Sequence, residues 1–87
     1  MESSLNLFLK SMLTGSKKSV KVEETTTLNE LFTLCEEILN EAILFITVGS
    51  KIYSKVSHGM MTLVELGIES MSTCVASLRS SGGIQNE

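Results

Sequence analysis

A single helix-forming segment between segments with the period of strands is the feature that most constrains the fold of this chain. In "TTTLNELFTLCEEILN", apolar residues recur every three or four positions, as they do along one face of an α-helix. These residues are Leu28, Leu31, Phe32, Cys35, Ile38 and Leu39. Thr27, followed three residues later by Glu30, fits a capping box, so we expect the helix to begin here.

Strands are predicted on both sides of this helix. Apolar and polar residues alternate in "LNLFLK" and "KSVKVE", and Gly15 lies between these segments, which is typical of a hairpin. After the helix, "ILFITVGSKIYSKV" predicts two strands that meet near Gly49. "SHGMM" is then interpreted as a loop, "TLVELGI" as a short helical turn ending at Gly67, and "STCVASL" as a last strand.

The order of these elements predicts the fold class. A chain of 87 residues forms one domain at most, and one helix covers one face of one sheet. We therefore predict an α+β domain in which a mixed sheet of four to five strands packs on one α-helix. The domain is expected to span residues 5–79, between flexible tails at 1–4 and 80–87 that are rich in Ser, Gly or Asn.

Composition argues against several classes of partner. The net charge of −3 has the wrong sign for nucleic-acid binding, and the longest apolar run is far below the ~20 residues that cross a bilayer. The acidic N-terminus is atypical of a signal peptide. We expect a monomeric protein of the cytoplasm or nucleus, with no nucleic-acid or membrane partner. Cys35 and Cys74 occupy apolar positions, which favours buried reduced thiols over a disulfide.

Catalytic and cofactor motifs are not evident. His58 is the only histidine, so it cannot make a zinc site with the two cysteines in the usual way, and neither cysteine has a histidine neighbour in sequence. "GSKK" lacks the glycine spacing of a phosphate-binding loop. We predict that the chain is not an enzyme and has no metal site and no cofactor.

The ordered set of motifs resembles ubiquitin. "LFLKSMLTGSKKSVKVEETTTL" is similar to the opening of ubiquitin, "FITVGSKI" to its third strand and glycine turn, and "TLVELGIESMSTCVASLRSSGG" to its ending. The resemblance covers the chain from about Leu5 to Gly83. It implies the ubiquitin-like β-grasp fold, in a divergent member of the family with a C-terminal Gly-Gly.

The resemblance also implies a function for the C-terminal segment. A protease would cut after Gly83 and release Ile84–Glu87, and the new glycine carboxylate would be activated and joined to lysines of target proteins. Gly82 and Gly83 would then be the processing and conjugation site, and Arg79 would be recognised by an activating enzyme. The implied partners are ubiquitin-like activating and conjugating enzymes, a processing protease and the target proteins.

A partner-binding patch is implied as well. Leu13, Ile46 and Ser77 match by position the Leu, Ile and Val of the family's surface patch, and we expect Leu13, Ile46 and Val75 to lie together on the exposed side of the sheet. The polar Ser77 predicts weak binding to standard ubiquitin receptors. Ser50 matches the best-known chain-linkage lysine.

Three alternatives remain open at this point. A non-covalent ubiquitin-like module would bind partner proteins through the sheet patch. A sulfur carrier of the same fold would hold a thiocarboxylate on its terminal glycine, although such carriers typically end at Gly-Gly. The domain could also be a leader fused to another protein.

Overall fold

The computed structural model of the chain describes residues 4–78 and shows five strands and two helices within them. In chain order these are β1 (Ser4–Ser11), β2 (Lys17–Glu23), α1 (Leu28–Leu39), β3 (Phe45–Val48), β4 (Lys51–Ser54), α2 (Lys55–His58) and β5 (Thr73–Ser77). The strands form one sheet in the order β2-β1-β5-β3-β4. β1 and β5 are parallel and the other pairs antiparallel, which confirms the predicted mixed sheet.

The start of α1 is set by the capping box that the sequence predicts. The Thr27 hydroxyl accepts a hydrogen bond from the Glu30 N–H at 3.3 Å, and the Glu30 carboxylate accepts one from the Thr27 N–H at 2.9 Å. The helix ends at Asn40, which adopts a left-handed conformation with φ of 56°. The Ile43 N–H then donates to the Glu36 carboxylate at 3.2 Å, which holds the short link to β3 against the helix.

The core lies between α1 and one face of the sheet, called here the inner face. The helix contributes the first four positions of its predicted stripe, and alternate residues of β1, β3 and β5 face them. The buried apolar residues are Leu7, Leu9, Leu28, Leu31, Phe32, Cys35, Ile43, Ile46, Tyr53, Leu63, Ile68, Cys74 and Ala76. This arrangement is the predicted two-layer architecture, with the sheet in one layer and α1 in the other.

Short segments differ from their predicted conformation. Val56 does not extend the second of the two strands after α1, because the Ser54 hydroxyl accepts from the Val56 and Ser57 N–H groups and starts α2. Ser4, predicted to lie in the N-terminal tail, is the first residue of β1.

The segment before β5 forms the predicted single helical turn, in which the Leu66 N–H donates to the Thr62 carbonyl at 3.1 Å. The Thr62 N–H donates to the Glu65 carboxylate at 2.9 Å, and the Glu65 N–H donates to the Thr62 hydroxyl at 3.2 Å. This reciprocal pair resembles a helix start, but Gly67 follows two residues later with φ of 75°. The predicted stop at this glycine therefore comes before a helix can develop.

Candidate protein-binding face

The face of the sheet that points away from α1, called here the outer face, carries a row of side chains from all five strands. Strand residues alternate between the two faces, so the neighbours of buried core residues point outward. The pairing registers place Lys17, Lys10, Val75, Thr47 and Ile52 side by side in this row. Ile52 is 38% exposed, and Val75 and Thr47 are half-buried.

Two aromatic residues extend the apolar part of the outer face. Phe45 lies on β3 two residues before Thr47, and Phe8 lies on β1 two residues before Lys10. Both side chains are half-buried. The outer face therefore presents apolar surface on rigid strands, flanked by lysines.

Ile46 does not belong to this face, and its predicted place in the exposed patch is wrong. Ile46 is fully buried, and it pairs with Ala76, another core residue. The residue opposite Val75 is Thr47. In the observed register Thr47, and not Ile46, is the residue of β3 that lies beside Val75 on the outer face.

Ser50 lies within the turn between β3 and β4. β3 ends at Val48 and β4 begins at Lys51, so the turn between them consists of Gly49 and Ser50. Gly49 has φ of 65°, a conformation that glycine adopts without strain. Ser50 is therefore the second residue of the turn, and the first residue after the turn is Lys51.

Ser77 is also not an exposed patch residue. Its exposed fraction is 6%. On one side Phe45 of β3 lies opposite Ser77, and on the other side the Met12 N–H donates to the carbonyl of Ala76, the residue before Ser77. Leu13, in contrast, lies in the β1–β2 turn and is 84% exposed. Of the four residues predicted for the patch, the structure exposes Leu13, half-exposes Val75 and buries Ile46 and Ser77.

Leu13 lines a groove of about 700 Å³ at one end of the domain. The groove is formed by the β1–β2 turn, the α1–β3 link and the end of β5, and its lining residues are Met12, Leu13, Asn40, Glu41, Ala42, Ser77 and Leu78. Beside it, the buried Ser11 hydroxyl donates to the Glu41 carboxylate and accepts from the Thr14 N–H at 3.1 Å. These bonds fix the turn against the link.

Charge is unevenly distributed over the outer face. Lys10 and Lys17 lie directly opposite each other, and the Lys17 Nζ is 4.8 Å from the centre of the Phe8 ring. Lys21 follows on the same face of β2. Within residues 4–78, Glu23 is the one carboxylate at an outer-face strand position, and it lies at the opposite end of the hairpin from Lys17.

The two cysteines are inert core residues. Both are buried and free, as predicted. Burial, together with the nearby Cys74 and Glu36, raises the pKa of the Cys35 thiol to about 12. Burial raises the pKa of Cys74 to about 11. Because the thiolate is the reactive form, neither group is suited to act as a nucleophile at neutral pH.

His58 has a structural role. Its Nδ1 accepts from the Ser54 N–H at 3.2 Å, and its ring meets that of Tyr53 edge-on, with 5.4 Å between the ring centres. No group of three or more His, Cys, Asp or Glu side chains in the part of the chain that the structure describes could hold a metal ion. None of the helices described between residues 4 and 78 has the length and apolar character to span a membrane.

The C-terminal site residues lie outside the described residues. Arg79, Gly82 and Gly83, the end of the predicted domain at residue 79 and the predicted tail 80–87 all follow Leu78. Processing after Gly83 and recognition of Arg79 therefore stay predictions.

Comparison with solved structures identifies the fold. The chain matches no protein-family profile and no curated protein sequence. It is similar to the ubiquitin-like domain of yeast Ddi1, with 19% identity over 92% of this chain and 94% of that chain and a TM-score of 0.74. It is also similar to a ubiquitin-like domain from Arabidopsis thaliana, with 18% identity over 95% of this chain and 85% of that chain and a TM-score of 0.73. A third similar structure is the ubiquitin-like domain of Plasmodium falciparum Dsk2, with 20% identity over 86% of this chain and 100% of that chain and a TM-score of 0.68. The chain therefore has the ubiquitin-like β-grasp fold that the sequence predicts.

Proposed function

We propose that this chain is a protein-interaction domain that binds partner proteins through the outer face of its sheet. The observation that carries the proposal is the row in which Val75, Thr47 and Ile52 lie side by side. Apolar side chains grouped on an accessible surface are typical of protein-binding sites. The strands hold these side chains in place, so little conformational entropy is lost on binding.

The comparisons support this interpretation at the level of the fold. The similar structures include ubiquitin-like domains of Ddi1, of Dsk2 and of tubulin-binding cofactor B, which are described as domains of those proteins. A domain role of this kind needs an accessible surface and no catalytic group. The outer face supplies such a surface.

Two substitutions that each introduce a negative charge test the proposal. Val75→Asp places a carboxylate in the centre of the outer face, whereas Thr33→Asp places one on the exposed side of α1 as a matched control. Each variant and the unmodified chain are immobilised and incubated with extract from the source cells, and the retained proteins are quantified by mass spectrometry. Circular dichroism establishes that both variants are folded.

We expect a set of proteins that the unmodified chain and Thr33→Asp retain and that Val75→Asp loses. The physical reason is that a desolvated carboxylate without a partner opposes burial of the face. Equal retention by the two variants would remove the outer face from consideration as the binding surface.

Covalent attachment through Gly83 is the second candidate function. β5 ends at Ser77 and Leu78 is 54% exposed, so the described domain ends at its surface. Gly83 follows five residues later in the sequence, in the Arg-x-x-Gly-Gly pattern that resembles ubiquitin. After cleavage, the Gly83 carboxylate would be adenylated by ATP with release of pyrophosphate. The glycyl group would then pass to an enzyme cysteine as a thioester with release of AMP, and finally to a lysine amine, forming an isopeptide bond and releasing the enzyme thiol.

The mass of the chain after incubation with source extract and ATP tests this second function. We expect loss of Ile84–Glu87 and the appearance of larger species that carry an N-terminal tag. Gly83→Pro is the control and should block both changes. A chain whose mass stays unchanged would leave outer-face binding as the function of the domain.

A further inference from the structure

Three lysines project from the hairpin half of the outer face, beside an aromatic ring. We propose that this half binds an extended acidic segment of a partner protein, in which acidic residues lie on both sides of an apolar residue. The inference rests on the proposed function, because it names the class of segment that the outer face takes. It concerns Lys10, Lys17 and Lys21 together with Phe8.

The first step of the argument is the spacing of these groups. Lys10 lies opposite Lys17, Phe8 lies opposite Ser19, and Asn6 lies opposite Lys21. Along the hairpin the outer face is therefore basic, then aromatic, then basic. Lys17 and Lys21 are four residues apart on one strand, a distance of ~13 Å.

The second step is that the lysines are not neutralised within the domain. Among residues 4–78 the one ion pair joins Lys55 to Glu36 at 3.7 Å, away from the hairpin. Lys10 and Lys17 directly face each other, and like charges in this position repel. Lys17 instead lies over the Phe8 ring, a weak cation–π contact. An approaching carboxylate would relieve the repulsion between the two ammonium groups.

The third step is the pattern of the segment that fits. In an extended chain, residues i, i+2 and i+4 share one face, and i and i+4 lie ~13 Å apart. A segment with acidic residues at i and i+4 can therefore meet the lysines at both ends of the hairpin. An apolar residue at i+2 would then lie against Phe8.

The overall charge of the chain favours a short acidic segment over a long polyanion. The net charge of the chain is −3. A long polyanion such as RNA, or an anionic membrane, would extend past the three lysines and be repelled by the negative charge of the rest of the chain, including Glu23 on the same face. A segment of five residues spans Lys17 to Lys21 and ends before Glu23.

A synthetic peptide tests the inference on the full chain. The probe carries Glu-Ser-Leu-Ser-Glu between neutral flanks, and the control peptide has Gln in place of each Glu. Binding is followed by NMR chemical shifts at low and at high salt. We expect the acidic peptide to shift the Phe8 and Lys17 amides, with binding weakened by salt, and the Gln peptide to bind about tenfold more weakly.

Charge reversal on the two faces of the β1–β2 hairpin provides the variants. Lys10→Glu combined with Lys17→Glu should weaken the acidic peptide by about tenfold or more, because attraction becomes repulsion. Lys18→Glu, at the strand position opposite the buried Leu9, reverses one charge on the inner face and should weaken binding by less than about twofold. Lys17→Glu alone changes the net charge by the same amount on the outer face and should weaken binding by more than about threefold. The inference would be overturned if variants on the two faces lost the same amount of peptide affinity, if the two peptides bound equally well, or if the acidic peptide did not bind. It would also be overturned if an RNA oligonucleotide or anionic vesicles bound more tightly than the peptide through the same lysines.

Partner capture separates this inference from the proposed function. If Val75→Asp abolishes capture while the lysine double variant and added salt leave it unchanged, the outer face binds partners but not through an acidic segment. If no captured protein depends on Val75, the proposed function itself fails, whatever the peptide does.

Discussion

Thr47 of β3 lies directly opposite Val75 of β5, and this pair forms the centre of the outer face. Because strand residues alternate between faces, the same register directs Ile46 into the core, opposite Ala76. A displacement of one residue would exchange these roles. The composition of the outer face therefore depends on the register of β3.

Truncation of two isoleucines tests that register. Ile46→Ala removes a fully buried side chain and should lower the free energy of unfolding by about 2–5 kcal/mol. Ile52→Ala removes a partly exposed one and should cost less than about 1 kcal/mol. Urea unfolding of both variants measures the difference. Similar costs would mean that Ile46 is not a core residue.

Replacement of Thr47 tests the environment of its hydroxyl. In the described part of the chain this hydroxyl is buried and has no hydrogen-bond partner. Thr47→Val keeps the shape and removes the unpaired group, so the free energy of unfolding should stay the same or rise by about 1 kcal/mol. Thr47→Ser keeps the hydroxyl and loses a methyl group, and should be destabilising. Thermal unfolding measures both, and a clear loss in Thr47→Val would indicate that the hydroxyl is paired.

The capping box gives a third prediction. Thr27→Ala removes the hydroxyl that accepts from the Glu30 N–H, and should lower the free energy of unfolding by about 1 kcal/mol. Thr25→Ala, two residues earlier in an exposed position, is the control and should change it by less than about 0.5 kcal/mol. Equal effects in chemical denaturation would show that the box does not stabilise the start of α1.

The buried thiols give a prediction that depends on pH. In the folded chain the pKa values of Cys35 and Cys74 are about 12 and about 11, against an ordinary value of 9.0. Burial of the two protonated thiols contributes fully to the free energy of unfolding below about pH 9, where the thiols of the unfolded chain are protonated too. This contribution is lost as the pH rises from there through 11 to 12, because the unfolded chain releases these protons first.

Alkylation with iodoacetamide measures how far the fold protects the two thiols from reaction. At pH 8.5 the folded chain should react at least about a hundredfold more slowly than the chain unfolded in urea, since few thiolates form and both groups are buried. Reaction of the folded chain at the rate of the unfolded one would show that the thiols are accessible.

Local patterns explain why much of the fold could be predicted from the sequence. The stripe of α1, the Thr27–Glu30 box and the alternation of β1 each involve residues close in sequence, so periodicity alone identifies them. The register of β3 is different, because "AILFIT" is a nearly continuous apolar run that does not show which residues face inward. The spacing of Ile46 and Val48 was the available signal: two apolar residues at alternate positions indicate that Thr47 points to the other face.

The rest of the candidate site depends on contacts between distant segments. The groove beside Leu13 needs the β1–β2 turn, the α1–β3 link and the end of β5, and no local pattern brings these together. Ser77 is polar but buried, because Phe45 lies opposite it on β3 and Met12, in the β1–β2 turn, bonds to the carbonyl of Ala76 on its other side. The lysine row becomes visible only when the pairing of Lys10 with Lys17 is known.

Methyl NMR of the intact chain, with and without a purified partner recovered by capture, tests the central claim most directly. That claim is that partners contact the outer face. We predict that the methyl signals of Val75 and Ile52 shift or broaden when the partner is added, while that of Leu34 on α1 keeps its position. A partner that shifts Leu34 and leaves Val75 and Ile52 unchanged would contradict the account.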